Sequence, residues 1–217
     1  PNNPTGATAD LNFSSEVVKF AQKNGIIVIS DLAYSEMSYD GYKPVSFLSV
    51  KGALDVGIEF HSLSKTYNMT GWRVGWACGN KDLIAALAKV KSNIDSGIFS
   101  AIQLAGIEAL NTKPEFIGKM CALYQQRRDI LVDGLNTLGW DVKKPKATFY
   151  IWVKIPGGVK SIDFSRRLLG RADIIATPGI GFGLSGEGYI RFALTVCKDR
   201  IEEAIRRLKK HGDFFRR

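Results

Sequence analysis

The run IIVIS, residues 26 to 30, is apolar and β-branched at four consecutive positions and too short to be a helix. Such a continuous run suits a strand covered on both faces, the environment of a parallel sheet. It follows a helical pattern over residues 14 to 23, which puts Val17, Val18, Phe20 and Ala21 on one face, and a helix stop at Asn24-Gly25. A helix feeding a buried strand restricts the chain to an α/β architecture with a mostly parallel sheet. The texture continues with strand patterns at GIEFHS (57 to 62) and RVGWACG (73 to 79) and with long helical stretches at 81 to 111 and 115 to 138, the latter closed by Leu138-Gly139.

Beyond residue 138 the pattern changes. TFYIWVKI (148 to 155), DIIATP (173 to 178) and GYIRFALTV (188 to 196) read as strands, with a short helix at 162 to 169 and an amphipathic one at 199 to 210. The expected organisation is part of a large α/β domain over 1 to 90, a linking helix region over 91 to 114, and a small α+β domain over 115 to 217.

Composition narrows the classes of function. Of 217 residues, 45% are hydrophobic and 24% charged, enough to bury a substantial core, and no apolar run approaches the roughly 18 residues that span a bilayer. The chain starts at PNNPTG without a methionine, and no basic flank leads into an apolar stretch there, so the expectation is a cytoplasmic chain cut from a longer protein, with no membrane partner. Cys78, Cys121 and Cys197 are isolated, and His61 and His211 lie far apart, which argues against a disulfide framework or a metal centre. The net charge of +9 raises nucleic acid as a partner. Arg127-Arg128, Arg166-Arg167 and Arg206-Arg207, however, fall on three separate helical patterns with no aromatic-basic stripe, and read as solvated helix faces.

Two motifs invite chemistry. GFGLSG, residues 181 to 186, has the spacing of a dinucleotide fingerprint, but a strand pattern follows it where that fingerprint requires a helix, so a flexible loop between strands is expected. HSLSKTYNMTGWRVGW, residues 61 to 76, places Lys65 beside the hydroxyls of Ser62 and Ser64, with Arg73 eight positions on. An amine whose pKa is lowered by burial can attack a carbonyl, and a hydroxyl with a guanidinium can hold a phosphate next to it. Asp31 ends the strand pattern at 26 to 30, at the strand edge where α/β sheets place ligands, and Tyr34 follows. Taken singly, Lys65 reads as a surface lysine beside a turn, Asp31 as a helix cap and PNNPTG as a turn. Arg191 reads as an arginine on a strand whose face Tyr189, Ile190 and Phe192 leave undecided.

Taken together and in this order, PNNPTG, Asp31 with Tyr34, SLSK ending at Lys65 with Arg73 beyond it, and GYIRF around Arg191 resemble the class I/II, fold-type I aminotransferases that use pyridoxal 5'-phosphate. The resemblance covers essentially the whole chain and is closest to the branch of LL-diaminopimelate and aspartate aminotransferase-like enzymes. It implies the fold-type I transferase architecture and roles for seven residues. Lys65 would join the cofactor's aldehyde and move the proton. Asp31 would pair with the ring nitrogen, Tyr34 and Asn3 with the ring oxygen, Ser62 and Arg73 with the phosphate, and Arg191 with the substrate α-carboxylate. A cis peptide before Pro4 belongs to the same pattern.

The implied reaction moves an amino group between an amino acid and a 2-oxo acid, with LL-diaminopimelate and 2-oxoglutarate as the preferred pair and a homodimer as the expected assembly. A carbon-sulfur lyase or a ligand-sensing domain of the same fold is the alternative. Family members are about twice as long, so residues 1 to 217 alone are expected to have little activity.

Overall fold

The computed structural model describes residues 1 to 212. The chain forms two compact units, one comprising Pro1 and Thr8–Lys119, the other comprising Asn2–Ala7 and the chain from Met120 onward.

The first unit is built on a three-stranded sheet. Helix α1 (Leu11–Asn24) begins at Asp10, whose carboxylate accepts from Phe13 N, and ends at Gly25 in the left-handed conformation. It leads into β1 (Val28–Asp31), which pairs parallel with β2 (Gly57–Ser62), with Asp31 opposite Phe60. The sheet order is β1-β2-β3, and β3 (Gly75–Gly79) runs antiparallel to β2, so the sheet is mixed. Short helices α2 (Ala53–Val56) and α3 (Leu63–Thr66) flank β2 on either side in sequence.

Three sequence expectations need correction here. Val18 of α1 packs with Phe47, Val50 and Ala53, with Val17 against them, and Ala21 is buried, but Phe20 is 61% exposed, because the buried face follows Ser14, Val18 and Ala21. β1 is an edge strand with Ile29 exposed, so only one of its faces is covered among the described residues. The helical stretch expected over 81 to 111 is two helices, α4 (Lys81–Ser92) and α5 (Ser100–Leu110). The break lies where Asp95 Oδ1 accepts from Gly97 N at 2.9 Å and Gly97 adopts a φ of 111°, a local turn that competes with the helix ladder.

The second unit takes up α6 (Pro114–Thr137) from Met120 onward, followed by an antiparallel sheet of order β4-β6-β5, formed by β4 (Tyr150–Lys154), β5 (Thr177–Pro178) and β6 (Tyr189–Ala193). Helices α7 (Ser161–Ala172) and α8 (Lys198–Lys210) complete the unit. Strand alternation sorts the side chains: Ile151, Val153, Ile190 and Phe192 are buried, whereas Tyr150, Trp152, Tyr189 and Arg191 are half-buried on the opposite face. Phe164 and Leu168 of α7 and Ile201 and Leu208 of α8 are buried, and Phe164 meets Trp140 edge-on at 5.8 Å.

The Arg127-Arg128 pair is not a solvated face. Arg128 is 1% exposed, with Nη1 donating to Pro145 O at 3.0 Å and Nη2 to Asp129 at 2.8 Å, and Arg127 Nη1 donates to Leu194 O at 3.1 Å. Arg128 takes its buried position because its donors reach acceptors inside the unit, whereas Arg127 is anchored through Nη1 while its buried Nε has no acceptor among the described residues. Arg206 and Arg207 remain at the surface, both paired with Glu203.

The loop GFGLSG lies between two strands, β5 and β6, as expected. It forms two 3-10 turns over Gly179–Phe182 and Leu184–Gly186, and a Cβ on Gly179 would stand 2.0 Å from Gly186 O. This backbone approach fixes the loop between β5 and β6. Strand β6 follows it, so the helix that a dinucleotide site requires is not there.

Candidate active site

In parallel strands the carboxyl ends lie on one edge, and the register brings Asp31, last in β1, and Ser62, last in β2, to the same end of the sheet. β3 enters antiparallel with Gly75 opposite Ser62, so Arg73, two residues before it, returns to that end as well. Lys65 follows Ser62 by less than one turn of α3, which Ser62 caps by accepting from Ser64 N at 3.1 Å.

Lys65 is half-buried, and its Nζ lies 5.8 Å from the centre of the buried Tyr34 ring. Burial is the largest cause lowering its pKa from the ordinary lysine value. The Arg73 guanidinium lowers it further, while the Asp31 carboxylate pulls it back up. One amine thus feels a fixed cation and a carboxylate together. Arg73 is held by donation from Nη1 to Thr70 O at 2.8 Å and sits in the left-handed region at φ 54° and ψ 47°. That conformation costs a non-glycine residue about 1–2 kcal/mol. Asp31 Oδ1 accepts from Ala33 N at 3.4 Å.

Behind this end of the sheet lies a residue to which no sequence motif pointed. Glu59 is 1% exposed and accepts from Ser30 Oγ (3.0 Å), Ser46 Oγ (2.8 Å) and Phe47 N (2.8 Å), with His61 Nε2 at 3.0 Å. His61 in turn stacks on Trp76 at 5.0 Å. The carboxylate ties together the residue before Asp31, the residue before Ser62 and the 46–47 turn. Its position in the strand EFHS was readable from sequence, its burial was not.

The other two expected residues, Asn3 and Arg191, meet in the second unit. Arg191 Nη1 donates to Asn3 Oδ1 at 2.6 Å, and the Asn3-Pro4 peptide is cis, as the motif implied. The Arg191 guanidinium carbon lies 3.9 Å from the centre of the Tyr150 ring and 4.7 Å from that of Phe182. Its Nε is buried with no acceptor among the described residues. A buried donor of this kind is uncommon and expensive, and invites an anionic acceptor.

The five residues of the first unit form a donor set that fits pyridoxal 5'-phosphate: a depressed amine, a carboxylate, a phenol, a hydroxyl and a guanidinium. Comparisons with known proteins agree. The family described as aminotransferase class I and II matches residues 1–208. The LL-diaminopimelate aminotransferase of Moorella thermoacetica is 57% identical over 210 residues, covering 97% of this chain and 54% of that protein. The enzyme of the same name from Halothermothrix orenii is 57% identical over 209 residues, covering 96% of this chain and 54% of the relative. A solved aminotransferase from Staphylococcus aureus superposes with a TM-score of 0.94 at 35% identity, covering 99% of this chain and 57% of that one. The chain belongs to the class I and II aminotransferases, a pyridoxal-phosphate-dependent family of the fold-type I architecture. It spans about half the length of the curated relatives it matches.

No helix among the described residues is long and apolar enough to cross a membrane.

Proposed function

We propose that the protein carrying this chain is a pyridoxal-phosphate-dependent aminotransferase that exchanges an amino group between LL-diaminopimelate and 2-oxoglutarate. The observation that carries the chemistry is the Lys65 amine, its pKa lowered by burial and by Arg73 while Asp31 acts on it in the opposite sense. The substrate reading is supported by relatives named LL-diaminopimelate aminotransferase at 52% to 57% identity over nearly the whole chain.

Pyridoxal 5'-phosphate, when bound, supplies an aldehyde and a ring that withdraws electrons from a substrate α-carbon. The neutral Lys65 amine has the lone pair needed to attack that aldehyde and to take a proton from an α-carbon. The Asp31 carboxylate stabilises a proton on a ring nitrogen, and the Tyr34 phenol hydrogen-bonds a ring oxygen, a role shared with Asn3. Ser62 and Arg73 bind phosphate oxygens, the latter through a planar fork that matches them. Arg191 binds the α-carboxylate common to donor and acceptor.

The test uses the complete protein with Lys65→Ala. Loss of the near-visible absorbance of lysine-bound cofactor, with glutamate formation from LL-diaminopimelate and 2-oxoglutarate reduced about 10³-fold or more, supports the reading. Retained turnover overturns it, and ammonia release in place of glutamate by the unmodified protein overturns the transfer step. The same reading takes the complete protein to be a cytoplasmic homodimer. Light scattering after gel filtration counts the subunits, and cell fractionation locates them.

A further inference from the structure

We infer that Phe182, with Tyr150, is a positioning residue that holds the Arg191 guanidinium in one plane for carboxylate binding. The inference rests on the proposed role of Arg191. Arg191 lies on β6, the central strand of its sheet, opposite Trp152 on β4 and Thr177 on β5. Tyr150 is on the same face, two residues from Trp152, and its ring centre is 3.9 Å from the guanidinium carbon. Phe182, from the turn that precedes β6, stands 4.7 Å away. Both distances lie well inside the range of about 6 Å over which a cation is attracted to a ring face.

Phe182 is itself braced. Its ring meets Trp152 edge-on at 5.7 Å, and Trp152 stacks on Tyr189 at 5.2 Å with an angle of 9° between the rings. Its turn is locked by the close backbone approach of Gly179 and Gly186. Asn3 holds Nη1 at 2.6 Å, and the two rings limit rotation of the guanidinium. An arginine prepared in this way loses less conformational freedom when it binds a carboxylate. The α-carboxylate is shared by every amino acid and 2-oxo acid, so the contribution of Phe182 falls equally on donor and acceptor and leaves side-chain preference alone.

The experiment is a double-mutant cycle in the complete, cofactor-loaded protein with Phe182→Leu, Phe182→Tyr, Arg191→Lys and the Phe182→Leu, Arg191→Lys pair. The readouts are the Kd of 2-oxoglutarate by calorimetry without an amino donor, and KM and kcat for L-glutamate. The expected result is that Phe182→Leu raises both Kd and KM about 3- to 30-fold, the span from an exposed to a desolvated cation-ring contact, with kcat changed less than about twofold. Phe182→Tyr, which keeps the ring, stays near the unmodified affinity. In the Arg191→Lys background Phe182→Leu adds almost nothing, since an ammonium has no plane to hold. If Arg191→Lys weakens binding and Phe182→Leu does not, or if Phe182→Leu costs as much in both backgrounds, this inference is overturned and the role of Arg191 stands. If Arg191→Lys leaves 2-oxoglutarate binding unchanged, the role of Arg191 falls and the inference with it.

Discussion

Arg191 and Asn3, 188 positions apart in sequence, are joined by a 2.6 Å hydrogen bond from the guanidinium to the side-chain amide oxygen. The bond draws the segment Asn2–Ala7 into the unit formed by the chain from Met120 onward, apart from Thr8 and the residues after it. The PNNPTG motif therefore has a structural anchor in β6, at the residue proposed to bind the substrate carboxylate.

The titration of Lys65 has a definite sign. Burial and Arg73 lower its pKa and Asp31 raises it, so Arg73→Leu moves the value up and Asp31→Asn moves it further down. Because the folded state disfavours the ammonium, Lys65 detracts from stability below its lowered pKa, and this burden is relieved as pH rises from there towards the ordinary lysine value. The pH profile of Lys65 acetylation in cofactor-free protein, read by mass spectrometry, gives the order Asp31→Asn below unmodified below Arg73→Leu. The reverse order would remove the electrostatic basis of the site.

Glu59→Ala leaves two serine hydroxyls, an amide and an imidazole facing a cavity. The expected loss is about 3–5 kcal/mol of stability, measured by urea unfolding of the complete protein. Glu59→Gln keeps the shape and part of the acceptor capacity, and loses less. Equal stability of the alanine variant would mean that this network carries little of the sheet.

Gly179 and Gly181 lie in the same turn and should respond differently to alanine. A Cβ at 179 meets Gly186 O at 2.0 Å and Tyr189 O at 2.6 Å, whereas one at 181 meets nothing within 4 Å. Gly179→Ala is expected to destabilise by about 1–3 kcal/mol or more and to raise KM by disturbing Phe182. Gly181→Ala is expected to stay within about 0.5 kcal/mol. Thermal melts and substrate titrations check both.

At the start of α7, Glu187 accepts from Ser161 N at 2.6 Å and from Gly188 N at 2.9 Å, and these bonds hold its carboxyl below the ordinary glutamate value. Its contribution is complete above the ordinary value and disappears as pH falls through the lowered one. Glu187→Ala should therefore lower Tm at pH 7 and narrow the difference in Tm between pH 7 and strongly acidic solution. An unchanged difference would mean that the cap does not couple to folding.

Several elements were legible in the sequence because local patterning agreed with the tertiary environment. GIEFHS was expected as a strand over 57 to 62 and is β2 over Gly57–Ser62, and the amphipathic stretch at 199 to 210 is α8 over Lys198–Lys210. The order of Asp31, Lys65, Arg73 and Arg191 along the chain, and the family it implies, were also local information. Short-range order encodes which residue types occur and at what spacing, and that is sufficient to identify the family.

Long-range packing decided the rest. The sequence around Arg191 left its face open, and pairing with β4 and β5 put it with Tyr150 and Trp152 while Ile190 and Phe192 took the core. Arg128 looked like a surface charge until acceptors 17 residues along and next door in sequence gave it a buried position. The aromatic environment of Arg191 and the burial of Glu59 had no signature of their own, because each depends on strand register and on contacts between segments far apart in the chain. A residue's identity is written locally, but its exposure, partners and proton affinity are set by what the folded chain brings against it.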